Sequence, residues 1–114
     1  MKIFVINVPG SNNKRKQVEK ELNSNNIPFE FYNGVDGSKI KKPSINLNWY
    51  EPNYHYHTTM GETGCGLSHL GIWEKMIQEN IDQAIVFEDD VVICDTMFLK
   101  TIEHLKDLSK NPYD

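Results

Sequence analysis

Short apolar runs separated by polar segments predict the strands of this chain. Residues 3–8 are apolar except for Asn7, and residues 84–87 are apolar throughout. A third run, residues 29–32, follows Pro28 and ends at turn-forming residues. Uninterrupted apolar runs of this length are typical of strands covered on both faces. The pattern therefore predicts buried strands at 3–8, 29–32 and 84–87.

Helical spacing appears between these runs. Residues 14–24 are helix-prone, and a second helix is predicted from about residue 59 to residue 79. Thr59 and Glu62 fit a capping box at the start of this second helix. Its apolar surface is expected from Leu67, Leu70, Trp73, Met76 and Ile77.

The order of elements defines the predicted fold class. A last helix is capped by Asp95 or Thr96, and residues 91–93 are expected to extend the third strand. Residues 38–58 lack periodicity and form a long loop, which is usually functional or disordered in a small domain. The order strand, helix, strand, loop, helix, strand, helix favours an α/β fold with a mostly parallel sheet flanked by helices.

Composition narrows the functional classes. The chain has 114 residues, enough for one domain, with 39% hydrophobic and 25% charged residues. A net charge of −4 argues against a nucleic-acid partner, which would need a basic face. The two cysteines, Cys65 and Cys94, form neither a disulfide framework nor a metal-ligand spacing, and Cys65 is interpreted as a packing residue.

The acidic run Glu88-Asp89-Asp90 is the main chemical feature, because it directly follows the apolar run 84–87. Ligands of open α/β sheets bind beyond the carboxyl ends of the strands. Adjacent carboxylates repel one another, and a hard divalent cation is their natural partner. Such a cation could bridge the phosphates of a nucleotide sugar. A solvated acidic turn explains the run equally well at this point.

Other polar residues carry similar alternatives. Arg15, in the basic run 14–16 after the first strand, could clamp a phosphate or lie on a solvated face. Asp36 could accept hydrogen bonds from a base or ribose, or could form a simple Asp-Gly turn. His69 suits a structural hydrogen bond better than a catalytic role.

These motifs together resemble glycosyltransferase family 25, the lipooligosaccharide (LPS) biosynthesis glycosyltransferases, whose animal relatives act on collagen hydroxylysine. Their order and spacing match across nearly the whole chain, and the Gly-Cys-x-x-Ser-His block followed by Glu-Asp-Asp-Val is the most specific part. The matching blocks are Val5-Ile6-Asn7-Val8, Lys14-Arg15, Ile27-Pro28-Phe29-Glu30-Phe31, Val35-Asp36-Gly37, residues 61–69 with Trp73, and residues 85–91.

The resemblance implies a GT-A-like (Rossmann-like) fold and transfer of a sugar, typically galactose from UDP-galactose, to a saccharide or lipooligosaccharide acceptor. It implies a manganese ion with Asp90 as direct ligand and Glu88 at the ribose or in the metal shell. Asp89 is assigned to the donor site between them. Further donor-site residues are Asn7, Val8, Arg15 and Asp36, with Ser68 and His69 supporting the site behind the acidic strand.

The resemblance also sets expectations for organisation and location. Family members are longer, so residues 1–114 are expected to form a truncated, donor-binding portion without the acceptor half and any catalytic base. The alternative is a non-catalytic module that binds nucleotide or a partner protein, and a metal-dependent phosphatase is a weaker third hypothesis. A cytoplasmic location is implied, either free or peripheral at the cytoplasmic face of the inner membrane.

Overall fold

The structure is a computed structural model, which describes residues 1–40, 60–94 and 97–108. A sheet of three parallel strands forms the centre of this described part. The strands are β1 (Lys2–Asn7), β2 (Glu30–Asn33) and β3 (Ala84–Glu88). Their order is β2-β1-β3, so β1 lies between the other two and pairs in parallel with both.

Helices connect the strands. Helix α1 (Asn12–Ser24) joins β1 to β2, and α2 (Met60–Gln78) precedes β3. A short 3-10 turn, Gly37–Lys39, follows β2, and helix α3 (Met97–Leu108) follows β3. The predicted α/β fold with a parallel sheet flanked by helices is confirmed.

The alternation of side chains along β1 builds a core on each face of the sheet. Ile3 and Val5 pack in a cluster with α1 and α3, whose buried members include Val18, Leu22 and Ile102. The alternate residues, Phe4 and Ile6, pack on the opposite face against Ile72 of α2. Because successive side chains of a strand point to opposite faces, one apolar run supplies both cores.

The predicted boundaries differ from the observed ones by small shifts. Helix α1 begins at Asn12, two residues earlier than predicted. Strand β3 ends at Glu88, and residues 91–94 belong to no strand, so the expected extension is not observed. Three predicted caps, Thr59, Asp95 and Thr96, and most of the loop 38–58 lie outside the described residues.

The predicted apolar surface of α2 was partly wrong. Leu70, Trp73 and Ile77 are 41%, 56% and 80% exposed. The buried residues are instead Thr63, Gly64, Ser68 and Ile72, of which the last three follow a four-residue spacing along one face. The first two turns of this face use small residues because the helix lies against backbone. A Cβ at Gly64 would stand 2.6 Å from the Val35 carbonyl oxygen.

Among the residues described, no helix is both long and apolar enough to cross a membrane.

Two isoleucines on α2 offer a test of this core. Ile72 is fully buried and Ile77 is 80% exposed. We expect Ile72→Val to lower the free energy of unfolding by about 0.5–1.5 kcal/mol, because it leaves a methyl-sized cavity. The control Ile77→Val should change it by less than about 0.5 kcal/mol. Urea denaturation measures both, and equal effects would contradict the assigned helix face.

Candidate functional site

The carboxyl ends of β1 and β3 form the edge where the predicted site residues gather. The two strands lie side by side, with Ile6 of β1 paired to Glu88 of β3. Helix α1 leaves β1 on one face of the sheet, and α2 packs on the other. In open α/β sheets, a crevice forms where the connections diverge in this way, and ligands bind there.

Asn7 links three segments at this edge. Its side chain is 4% exposed, and its amide nitrogen donates to Asp89 Oδ2 at 2.9 Å and to the Ser11 carbonyl oxygen at 3.2 Å. Both amide hydrogens are therefore used, as a buried amide requires. The end of β1, the turn after β3 and the start of α1 are held together by one side chain.

The carboxylates of Glu88 and Asp89 in the acidic run have different partners. Asp89 is held by Asn7, and Glu88 Oε1 accepts the thiol hydrogen of Cys65 at 3.0 Å. Asp90 is exposed. A hydrogen bond from Val91 N to the Glu88 carbonyl oxygen closes the turn. The divergence of these side chains reduces the repulsion between neighbouring carboxylates.

The segment after this turn is anchored to α1. The carboxylate of Glu21, on α1, accepts a hydrogen bond from the Ile93 backbone N–H at 2.9 Å. The Ser11 carbonyl oxygen, at the N-cap of α1, accepts from Asn7, which also holds Asp89 of the turn.

Cys65 lies in a polar environment, contrary to the expectation of a packing residue. Its thiol donates to Glu88, and this hydrogen bond, together with burial and the negative charge of Glu88, raises the pKa of Cys65 to about 11. His69 lies one helical turn further along α2. In the described part of the chain, Cys65, His69 and Glu88 are the one group of three potential metal ligands, with ligand atoms within 4.8 Å of one another.

Ser68 connects α2 to the loop that follows β2. Its hydroxyl accepts a hydrogen bond from Val35 N at 2.8 Å and donates to the Gly64 carbonyl oxygen at 2.8 Å. Ser68 is 1% exposed, so these two bonds satisfy an otherwise buried hydroxyl. This contact fixes the backbone just before Asp36.

Asp36 closes the short turn after β2. Its Oδ1 accepts from the Ser38 hydroxyl at 2.6 Å and from Ser38 N at 3.0 Å, and these bonds lower the pKa of Asp36. The local Asp-Gly turn is thus present. Asp36 also lines a cavity of about 290 Å³ whose other lining residues are Pro9, Gly34, Val35, Lys39 and Ile40.

Arg15 is positioned by an aromatic side chain. Its guanidinium carbon lies 3.8 Å from the centroid of the Phe31 ring on β2, a cation–π contact. Arg15 is half-buried, whereas Lys14 and Lys16 are exposed. The first turn of α1 carries no acidic residue, and Ser11 makes no side-chain capping bond. The positive end of this helix is therefore available to an anion.

Two groups of residues in contact form at this edge of the sheet, and both include predicted site residues. Asn7 joins Asp89, and Cys65 joins His69 and Glu88. Val8 lies in the turn between Asn7 and Ser11, where its carbonyl oxygen accepts from Ser11 N.

Sequence analysis missed two contacts of predicted site residues: that of Arg15 with Phe31, and that of His69 and Glu88 with Cys65. Phe31 was assigned only to a strand, and nothing in its pattern indicates that it contacts Arg15. The pairing of Cys65 with His69 had a signal, because residues four apart on a predicted helix share a face.

Comparison with known proteins gives the family. The family model "Glycosyltransferase family 25 (LPS biosynthesis protein)" matches residues 1–113. The chain belongs to glycosyltransferase family 25. The matched residues include the blocks at Asn7–Val8, 61–69 and 85–91, on which the resemblance rested.

Similar proteins come from bacteria and animals. The chain is 34% identical to lipooligosaccharide biosynthesis protein lic2B of Haemophilus influenzae over 91 residues, 79% of this chain and 34% of that protein. It is 28% identical to procollagen galactosyltransferase 1-B of Xenopus laevis over 121 residues, 98% of this chain and 20% of that protein. It is 32% identical to "inactive glycosyltransferase 25 family member 3" of Mus musculus over 110 residues, 90% of this chain and 18% of that protein. The chain spans about a third or less of the length of these relatives.

The role of Ser68 as a support can be tested through stability. Ser68→Ala removes the acceptor of the Val35 N–H and should cost about 1–3 kcal/mol, because a buried donor is left unsatisfied. Ser24→Ala is the control, since the Ser24 hydroxyl is exposed and its described hydrogen bonds are local: it donates to the Glu21 carbonyl oxygen and accepts from the Asn25 side chain at 3.5 Å. Chemical denaturation of both variants measures the difference. A loss for Ser24→Ala as large as that for Ser68→Ala would count against this assignment.

Proposed function

We propose that residues 1–114 form the donor-binding part of a glycosyltransferase that transfers galactose from UDP-galactose to a saccharide acceptor of lipooligosaccharide. The observation that carries the proposal is the Asn7–Asp89 hydrogen bond of 2.9 Å at the carboxyl ends of β1 and β3. It holds an acidic turn in place at the position where open α/β sheets bind ligands. Membership of family 25 and the names of the Haemophilus and Xenopus relatives support the choice of reaction.

The diphosphate of the donor fits the side of the edge formed by α1. Backbone N–H groups at the start of α1 and the guanidinium of Arg15 favour an anion there. Stacking on Phe31 limits the freedom of Arg15, so less side-chain entropy is lost when it binds a phosphate. We propose that the uridine and ribose contact Val8 and Asp36, which follow β1 and β2, with Asn7 at the end of β1 holding this edge of the donor site in place.

A divalent cation suits the acidic turn. Asp90 is an exposed carboxylate next to the anchored Asp89, and hard oxygen donors of this kind suit manganese or magnesium. We propose Asp90 as the direct ligand and Glu88 in the outer shell, since Glu88 is already bonded to Cys65. One or two carboxylates are enough for such an ion when phosphate oxygens and water complete its coordination. The ion would stabilise the negative charge of the departing diphosphate.

A non-catalytic nucleotide-binding module is the second candidate. Its support is that one relative, from mouse, is named inactive, and that the chain spans about a third or less of its relatives' length. Incubating the full chain with UDP-galactose and saccharide acceptors separates the candidates. Release of UDP above the uncatalysed rate would exclude the binding module, and its absence together with UDP binding would exclude the transferase activity of this chain.

We also propose a cytoplasmic location at or near the inner membrane, where a donor-dependent step of lipooligosaccharide synthesis would take place. The name of the Haemophilus relative supports it. Fractionation of cells that produce the protein tests it, and recovery in the periplasm would overturn it.

Manganese-dependent nucleotide binding is the first expected result. Calorimetry should show UDP binding to the full chain in the presence of Mn²⁺, and Asp90→Ala should weaken it by at least about tenfold, equivalent to about 1.4 kcal/mol. Asp82→Ala is the matched control, because Asp82 is also exposed but lies before the amino end of β3. Equal binding without metal, or by Asp90→Ala, would contradict the metal assignment.

The stacked arginine gives a second binding test. Arg15→Lys keeps the positive charge but loses the planar guanidinium that lies over Phe31 and can bind phosphate through two N–H groups. We expect UDP affinity to fall about tenfold, as for the loss of one charge-assisted hydrogen bond. Lys20→Ala, further along the same helix, should leave affinity unchanged. Wild-type affinity in Arg15→Lys would mean that Arg15 supplies charge alone.

A further inference from the structure

A second group of potential metal ligands lies on the face of the sheet that is covered by α2. Cys65 and His69 are both half-buried and stand four residues apart on α2, and Glu88 ends β3 beside them. The Cys65 thiol, a His69 ring nitrogen and a Glu88 carboxylate oxygen all lie within 4.8 Å of one another. Two of these atoms, Cys65 Sγ and Glu88 Oε1, are 3.0 Å apart.

These separations suit one metal ion. In a tetrahedral zinc site, bonds of about 2.3 Å to sulfur and about 2.1 Å to nitrogen or oxygen place the ligand atoms roughly 3.4–3.6 Å apart. The Cys65–Glu88 separation of 3.0 Å is slightly shorter than this range, and the other separations do not exceed 4.8 Å. Small side-chain rotations would replace the Cys65–Glu88 hydrogen bond with two bonds to the ion. Three protein ligands leave the fourth position for water.

The backbone around the group is held by independent contacts. Gly64 and Ser68 pack α2 against the loop after β2, and the Ser68 hydroxyl bonds to Val35 N. Glu88 belongs to a strand that pairs with the buried strand β1. Metal ligands on rigid elements lose little entropy on binding, so the geometry is largely present before the ion arrives.

The donor set distinguishes this group from the proposed manganese site. A thiolate and an imidazole favour zinc over manganese or magnesium, which prefer oxygen ligands alone. Alternation along β3 separates the two places, because the Glu88 side chain meets α2 whereas Asp89 meets Asn7. Glu88 is the one residue that both sites would involve.

We propose that Cys65, His69 and Glu88 form a zinc site that joins α2 to the carboxyl end of β3. In place of the present thiol–carboxylate hydrogen bond, the ion would be bound by two side chains of the helix and one of the strand. Because it would bind the folded chain, zinc would stabilise the protein and fix Glu88 beside the acidic turn. This inference does not depend on the proposed transfer of galactose.

Cobalt binding tests the site directly. The untagged, metal-free full chain is titrated with Co²⁺, which reports its ligands through its absorption spectrum. The expected result is one equivalent bound with a thiolate-to-cobalt charge-transfer band and tetrahedral ligand-field bands, all removed by Zn²⁺. Cys65→Ser should abolish the charge-transfer band, while its hydroxyl keeps a hydrogen bond to Glu88. His69→Gln and Glu88→Gln should weaken zinc binding by more than about 100-fold, since even changes to groups behind the ligands cost about 10–100-fold.

The chain supplies matched controls for each ligand type. Cys94→Ser and His104→Gln alter an exposed thiol and an exposed imidazole away from the group, and should leave the spectrum and the affinity unchanged. Zinc should raise the Tm of the wild type and of both controls, but not that of Cys65→Ser. A missing charge-transfer band, a band that survives in Cys65→Ser, or equal zinc affinity in His69→Gln would overturn the proposal. UDP binding in manganese is measured in parallel, so failure of the zinc site is distinguishable from failure of the donor site.

Discussion

The hydrogen bonds of Asn7 are the constraint on which the arrangement of this edge depends. Asn7 ends β1, the most buried of the three described strands, so its side-chain amide is shielded from water. The amide N–H groups therefore need acceptors within the protein. Leaving such a group unsatisfied costs about 1–3 kcal/mol. The two acceptors present, Asp89 Oδ2 and the Ser11 carbonyl oxygen, belong to segments that are distant from each other in sequence. The burial of one polar side chain therefore determines where the acidic turn and the start of α1 lie.

Alternation along β3 then divides the chemistry between two sides of the sheet. Ile85 and Phe87 pack with the cluster on the α1 and α3 side, and Ala84 and Val86 pack on the α2 side. Glu88 continues the second series and meets Cys65 of α2. Asp89, in the turn, meets Asn7 near α1. Neighbouring carboxylates in the sequence thus face different partners, which is why a proposed oxygen-ligand site and a proposed thiolate site can lie so close together.

Much of this fold follows from local patterns. The apolar runs around Phe4 and Val86 predicted β1 and β3, and the spacing of Val18 and Leu22 agreed with helix α1. Burial was predicted less well than the strands themselves, because β1 is buried whereas the apolar residues of β3 are half-buried.

What could not be predicted depends on contacts between distant segments. The buried face of α2 begins with Gly64 and Ser68 because that helix approaches the backbone after β2, and hydrophobic periodicity alone favoured Trp73 and Ile77 instead. The contact of Arg15 with Phe31 depends on how α1 crosses the sheet. The acidic run was located correctly at a strand end, but the separate partners of Glu88 and Asp89 became evident only with the strands paired.

The most direct measurement of the central claim is residue-resolved NMR of the full chain with UDP and Mn²⁺. Paramagnetic broadening by manganese falls steeply with distance, so it reports where the nucleotide-bound ion lies. The account predicts strong broadening of the backbone amides of Asn7, Val8 and Asp90 at the carboxyl edge, with little effect on Lys2 and Gln83 at the opposite end of β1 and β3. Broadening centred on Lys2 and Gln83 would contradict a donor site at this edge. So would broadening that is spread evenly near exposed Asp and Glu residues and does not change when UDP is added.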